Sequence, residues 1–222
     1  MAEPEAVPEG AAALTAAVEA ARDGDEDAFR VVYRTVHPGL LRYLRVLVGD
    51  DADDVASETW LHVVRDLRSF SGDGDAFRGW AATIARNRSM DHLRRRRRRP
   101  TADVPVDVLL EFATDQDTAD EAITAVATDA AIALIAQLPR DQAEAVILRV
   151  VLGLDAASAA RVLGKRPGAV RTAAYRGLRR LAQTLDEAVT DRDATDTDGP
   201  SSGGAPAPRS DETPNVNADG MR

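Results

Sequence analysis

The fold class that the sequence predicts is all-α, with two small helical domains: an N-terminal helical bundle and a C-terminal helix-turn-helix, joined by an acidic flexible linker. Three observations predict it. Apolar residues recur at helical spacing in two separate blocks, and no stretch shows the period-two alternation of a strand. Between the blocks, residues 100–131 carry 8 acids and no Lys or Arg. Past the second block the chain turns to Pro, Gly, Ser and Asp, a composition that cannot bury a core. The expected boundaries are a disordered or helical lead-in over 1–21, a first domain over 22–99, a linker over 100–129, a second domain over 130–186 and a disordered acidic tail over 187–222.

Pro4, Pro8 and Gly10 deny residues 1–10 any apolar period, and the chain becomes Ala-rich from Ala11. Phe29, Val32, Tyr33, Val36, Leu40, Leu44 and Leu47 then recur at helical spacing, with Pro38 expected to divide or kink the stretch. The carboxylates of Asp50–Asp54 should open the next helix by capping free amides at the positive end of its dipole. Its inner face is Val55, Thr59, Val63 and Leu67, with Trp60 and Val64 alongside. SFSGDGD, residues 69–75, reads as a loop. A helix follows with Phe77, Trp80, Ala81 and Ile84 inward, and it runs into six arginines, Arg94–Arg99, before Pro100 stops it.

In the second block Ile132, Leu134, Ile135 and Leu138 precede Pro139 at a helix start, and Ala143, Val146, Ile147 and Val150 lead to Gly153 as a stop. Asp155 is placed to cap a short helix through Leu163, Gly164 breaks it, and Pro167 suits a first helical turn. The last helix should end near Leu185. A short helix, a Gly-containing turn and a longer basic helix form a helix-turn-helix, whose second helix enters the major groove of DNA. Leu154, Ala159, Ala160, Val162 and Leu163 would line the first helix inside; Val170, Ala174, Leu178 and Leu181 would do so in the second. Arg166, Arg171, Thr172, Tyr175, Arg176 and Arg179 would then face outward, where arginine can donate two hydrogen bonds to guanine and threonine or tyrosine can reach phosphate or a thymine methyl.

The 222 residues carry a net charge of -9, which hides its own distribution. Residues 22–99 hold 16 Arg against 13 acids and residues 132–185 hold 9 Lys plus Arg against 3 acids, whereas residues 186–222 hold 9 acids against 3 Arg. The basic charge lies in the two blocks, and the acids lie in the connectors. Six adjacent arginines repel one another and gain nothing from burial, so they suit either a polyanion or a solvated terminus. Phe70, Phe77 and Trp80 around the SGDGD loop could accommodate an unstacked base beside them.

Cysteine is absent, which excludes disulfides, thiolate metal sites and cysteine nucleophiles. His37, His62 and His92 show no metal-ligand spacing, and Gly-rich phosphate loops are missing. No enzymatic activity, metal or cofactor is expected, no apolar run suits a membrane span, and the cytoplasm is the expected compartment.

DDADDVASETWLHVVRDL and FRGWAATIARNRSMDHLRRRRR in the first block, and LPRDQAEAVILRVVLGLDAASAARVLGKRPGAVRTAAYRGLRRL in the second, resemble the two conserved regions of extracytoplasmic function (ECF) sigma factors. The resemblance covers residues 28–99 and 130–182. It implies a subunit that binds core RNA polymerase and directs initiation at promoters. It implies that Asp54, Ser57 and Glu58 face the polymerase clamp, that Asn87, Arg88, Asp91, Arg94 and Arg95 lie at the minus-ten DNA, and that Arg166, Arg171, Thr172, Tyr175 and Arg176 lie at the minus-thirty-five DNA. An anti-sigma partner is implied as well. The family usually has a glutamate and an isoleucine where this chain has Ser158, Ala159 and Ala160, and Pro167 is unusual in the turn. The residues also admit a different class, a regulator that dimerises on a two-fold-symmetric operator.

Overall fold

The computed structural model describes residues 9–98 and 119–196, and every regular element among them is helical. Expectations for residues 1–8, for Arg99 and Pro100, for the linker through residue 118 and for the tail beyond residue 196 lie outside the described residues. The chain divides into two units, residues 1–184 and residues 185–222.

In the first unit, α1 (Glu9–Arg22) presents Leu14 and Val18, both 1% exposed, to the core. The next helix, α2 (Glu26–Val48), starts where the Asp25 carboxylate accepts from the amides of Asp27 and Ala28, which satisfies two donors the helix cannot. It buries Val32, Val36, Leu40, Tyr43 and Leu44. Of the two outcomes expected at Pro38, a division or a kink, division does not occur: α2 runs through it as one helix. Pro38 and Arg34 both lie on the exposed side, so water can take the carbonyl that proline leaves without a donor.

A 3-10 turn over Gly49–Asp51 leads into α3 (Ala52–Asp66), whose Val55, Thr59 and Val63 are buried, followed by the buried Leu67. Two expectations fail here. Asp51 makes no side-chain cap, because its carboxylate is taken by His92 and Arg96 of a later helix. Val64, expected alongside the core, is 54% exposed.

The loop through Gly72 is pinned where α4 (Gly74–Arg98) begins. Asp73 caps the helix by accepting from the amide of Ala76 at 2.7 Å, and the amide of Gly74 donates to the Thr15 hydroxyl at 2.9 Å. Glycine is required at 74, since a Cβ would sit 2.9 Å from Leu14 Cγ and 3.1 Å from the Thr15 nitrogen. Phe77 and Ala81 are fully buried, while Trp80 and Ile84 pack partly buried against the core.

After residue 119 come α5 (Ala119–Ala136) and α6 (Arg140–Val146), which starts at Pro139 as expected and passes into a π-helical turn over Ile147–Val151. The turn rotates the helix face, which leaves Val150, expected inside, 58% exposed. α5 begins earlier than the expected domain start, because its Ala-rich sequence favours helix without needing large apolar residues.

The helix-turn-helix forms as its signals predict. Asp155 caps α7 (Ala156–Leu163) by accepting from the Ser158 amide at 2.6 Å, and Gly164 adopts φ 63° and ψ 35°, a left-handed C-cap that suits glycine. Pro167 opens α8 (Pro167–Asp196). Ala159, Ala160, Val162 and Leu163 are buried, as are Val170 and Ala174, but Leu178 is 46% exposed. The position one residue earlier explains this: Gly177 is buried against α6, where a Cβ would meet Val146 Cγ2 at 2.7 Å, so the contact face passes through 177. α8 continues past Leu185 to Asp196, and these closing turns are the described part of the second unit. No Gly or Pro interrupts the sequence from Gly177 to Gly199.

Within the first unit the two helical domains share one hydrophobic cluster, from Leu14 to Ala174. They meet along a seam formed by α2 and α4 on one side and α5 to α7 on the other.

Candidate nucleic-acid interface

The helix-turn-helix leaves exposed the row of α8 that the sequence places outward. Arg166, Arg171, Thr172, Tyr175, Arg176 and Arg179 are all exposed on α8, with Tyr175 at 67%. None of these side chains lies in the seam. The helix they stand on is fixed beneath by Val170, Ala173, Ala174 and Gly177, so the row projects from a rigid base.

The second basic surface is the end of α4, and it is more self-contained than its sequence implies. Asn87 is exposed, Arg88 pairs with Asp91 at 3.2 Å, and Arg94 meets the other oxygen of Asp91 at 3.3 Å. Arg95 reaches Glu58 of α3 at 3.2 Å, and Arg96 reaches Asp51 at 2.6 Å, where His92 also bonds. Thus Arg95 and Glu58, expected on different partners, hold each other. Exposed pairs of this kind contribute about 0–1 kcal/mol and exchange readily for a polyanion, so they preorganise the arginines without consuming them. Arg97 and Arg98 follow, exposed, at the helix end.

The aromatic group beside the loop divides in two. Phe77 is wholly buried and belongs to the core, which removes it as a base-stacking surface. Phe70 and Trp80, both half-buried, lie 5.0 Å apart at a 33° tilt and rest edge-on or tilted against Phe77. Of the three rings, these two keep exposed surface.

On α3, Asp54 and Ser57 are exposed, Ser57 donates to the Asp53 carbonyl, and the Glu58 side chain is 43% exposed. The same face continues to Leu61, 72% exposed, and Val64. Sequence reasoning missed these two. The spacing 54, 57, 58, 61 places them on one face, but an apolar residue on an amphipathic helix is ordinarily assigned inward.

Behind this face Trp60 Nε1 donates to His37 Nδ1 at 3.1 Å, and Tyr33 stacks on the His37 ring at 4.5 Å. Burial lowers the His37 pKa, which the Asp53 charge only partly opposes. A neutral imidazole is the form that can accept the indole proton. His37 is therefore a structural group.

By fold and site the chain joins an all-helical module ending in an arginine-rich helix to an exposed helix-turn-helix, the organisation of a two-module nucleic-acid-binding class. Comparison with known proteins agrees. Sigma-70 region 2 matches residues 32–99 and sigma-70 region 4 matches residues 128–181. The chain is 36% identical over 184 residues to the ECF RNA polymerase sigma factor ShbA of Streptomyces griseus, covering 78% of this chain and 96% of that protein. It is 34% identical over 173 residues to the ECF RNA polymerase sigma factor BldN of Streptomyces coelicolor, covering 77% of this chain and 65% of BldN. Among solved structures, the sigma factor RpoE bound to the anti-sigma factor NepR, from Bartonella quintana, shares the fold with a TM-score of 0.53 at 23% identity, over 71% of this chain and 96% of that one. The chain belongs to the extracytoplasmic function sigma factors of the sigma-70 family.

Proposed function

We propose that this chain binds core RNA polymerase and directs it to promoters by reading two DNA elements with two separate faces. The observation that carries the reading is the outward row of Arg166, Arg171, Thr172, Tyr175 and Arg176 on a helix whose cap, turn and seating are all in place, in a chain that also ends α4 in arginines. The first row reads the upstream, minus-thirty-five duplex. Asn87, Arg88, Asp91, Arg94 and Arg95 hold the minus-ten DNA, with Phe70 and Trp80 as the stacking surface for a base that leaves the duplex. Asp54, Ser57 and Glu58, extended by Leu61 and Val64, dock on the polymerase. Tethering both faces to one polymerase makes the second DNA contact effectively intramolecular, so two modest grips add to one selective one.

The chain supplies no catalysis: nucleotide addition belongs to the polymerase. It works in the cytoplasm, with promoter DNA, core polymerase and an anti-sigma protein as partners. No helix among the described residues is long and apolar enough to cross a membrane. Transcription in vitro with purified core polymerase tests the reading. A start-site-specific transcript should appear only when this protein is added. Its absence, with a two-fold-symmetric DNA footprint by the protein alone, would identify a conventional regulator instead.

A further inference from the structure

α1 carries none of the residues proposed to touch DNA or polymerase, yet it lies against both elements that flank the loop of Phe70: the 3-10 turn over Leu67–Ser69 and α4. Between those elements the chain has only Phe70 to Asp73. Phe70 follows directly on the turn, its amide donating to the Leu67 carbonyl at 3.0 Å. At Gly72 the backbone takes φ 150°, and a Cβ there would meet Ala76 Cβ at 2.8 Å and Phe70 Cζ at 3.2 Å, so the loop closes tightly over the ring. A loop this short has little slack. Where it enters α4 decides where Phe70 sits against Trp80, whose ring centre is 5.0 Å away.

The entry point is fixed from outside the loop. A helix cannot satisfy its own first amides. Asp73 takes that of Ala76, but the Gly74 amide donates to Thr15 Oγ1 at 2.9 Å, a partner 59 positions away in sequence. The Thr15 hydroxyl proton is already committed, donated to the Ala11 carbonyl at 2.9 Å within α1. Its oxygen therefore meets Gly74 only as an acceptor, which gives the bond one direction. Thr83 and Ser89 of α4 make the same local bond to the carbonyl four residues back, at 2.8 and 2.9 Å. Thr15 adds to it a contact across the bundle, and the missing Cβ at Gly74 is what lets α1 come close enough to make it.

We infer that Thr15 is a positioning residue for minus-ten reading: through the Gly74 amide its hydroxyl fixes where the loop enters α4, and so how Phe70 and Trp80 are spaced for an unstacked base. This rests on the promoter-reading function proposed above. A site of this kind works only when its supports hold it to within about 0.5 Å, and α1 is such a support. It sets discrimination at the minus-ten DNA without touching it.

Two substitutions separate the oxygen from the packing around it. Thr15→Val removes the oxygen and keeps the shape, whereas Thr15→Ser keeps the oxygen and removes the methyl. Both are read in the full chain with core polymerase, on a promoter fragment selected from random-sequence DNA by core polymerase with the wild-type protein. The readout is the ratio of start-site-specific transcript from that fragment to transcript from the same fragment with each minus-ten base replaced in turn. A misplacement of about 1 Å can cost up to about a hundredfold, so Thr15→Val should lower the ratio by about tenfold at one position, while Thr15→Ser should stay within about twofold of wild type. Binding to upstream-element DNA and co-purification with core polymerase should be unchanged in both. An unchanged ratio in Thr15→Val would overturn the role. So would a loss that Thr15→Ser shares, or one that comes with loss of co-purification, since either would make Thr15 a packing residue. If the wild-type protein selects no fragment and gives no transcript, the promoter-reading function falls and takes this role with it. Hydrogen exchange at the Gly74 amide, faster in Thr15→Val than in Thr15→Ser, would in that case still report on the anchor.

Discussion

Replacing Gly177 by alanine should weaken the fold, whereas the same replacement at Gly168 in the same helix should strengthen it. Alanine in a helix interior is favoured over glycine by about 1 kcal/mol, and that gain is available wherever the added methyl meets nothing. At Gly168 nothing lies within 4 Å, so Gly168→Ala should gain up to about 1 kcal/mol, less for its place in the first turn. At Gly177 the methyl would sit 2.7 Å from Val146 Cγ2, 3.3 Å from Gln142 Cβ and 3.4 Å from the Gln142 carbonyl oxygen. Val146 is itself 1% exposed, so turning its methyl aside presses it against other packed side chains. Overpacking of this kind costs about 1–3 kcal/mol, which outweighs the propensity gain and leaves a net loss of up to about 2 kcal/mol. At about 2–4 °C per kcal/mol for a unit of this size, the two variants should unfold several degrees apart. Thermal unfolding followed by circular dichroism reads this directly. Binding to upstream-element DNA should fall only for Gly177→Ala, because α8 must back away from α6. If Gly177→Ala unfolds at or above Gly168→Ala, the seating of the recognition helix is not as described.

Other predictions concern single contacts. Asp155→Ala should cost about 1 kcal/mol near neutral pH by removing the α7 cap, read in urea unfolding, and Asp155→Asn should retain most of it. The Ser158 side chain and amide hold the Asp155 pKa below its ordinary value, so this stabilisation is present above the usual carboxylate range and fades as pH falls through it. His37 is held neutral by burial, its pKa lowered, so its contribution is present above its ordinary value of 6.5 and is lost as pH falls below that; His37→Gln should flatten the slope of stability between pH 5 and 7. Arg171→Ala should cost about 1–3 kcal/mol at one upstream base pair and relax preference there, whereas uniform weakening across sequences would assign it to phosphate. Glu58→Arg should abolish co-purification with core polymerase while changing stability by no more than about 0.5 kcal/mol, since the side chain is exposed and the pair it loses is a surface one.

Local features of the fold were legible in the sequence because their causes are local. Val55, Thr59, Val63 and Leu67 mark an inner face by spacing alone, and Asp155, Gly164 and Pro167 mark a cap, a stop and a start by chemistry that acts within a turn or two. The outward row on α8 followed once its inner face was set. Other features depended on partners distant in sequence. Asp51 reads as a cap but serves His92 and Arg96, and Glu58 reads as a docking acid but also holds Arg95. Arg86 and Glu144 stand 58 positions apart and neither carries a sequence signature, so the seam between the domains was not predicted. Apolarity alone places Val64 and Val150 inward, yet Val64 stands on the exposed face of α3 and the π-helical turn carries Val150 outward.

Tethered DNA cleavage tests the two-grip account most directly. Single cysteines introduced at Arg98, at the exposed end of α4, and at Ala169, exposed in the first turn of α8, can each carry an iron chelate that cuts nearby DNA. With core polymerase and a promoter fragment, the α8 probe should cut about 35 positions upstream of the start site and the α4 probe about 10 upstream, a separation of about 85 Å at about 3.4 Å per base pair. Cleavage by both probes within one short stretch, or the same pattern without polymerase, would contradict it.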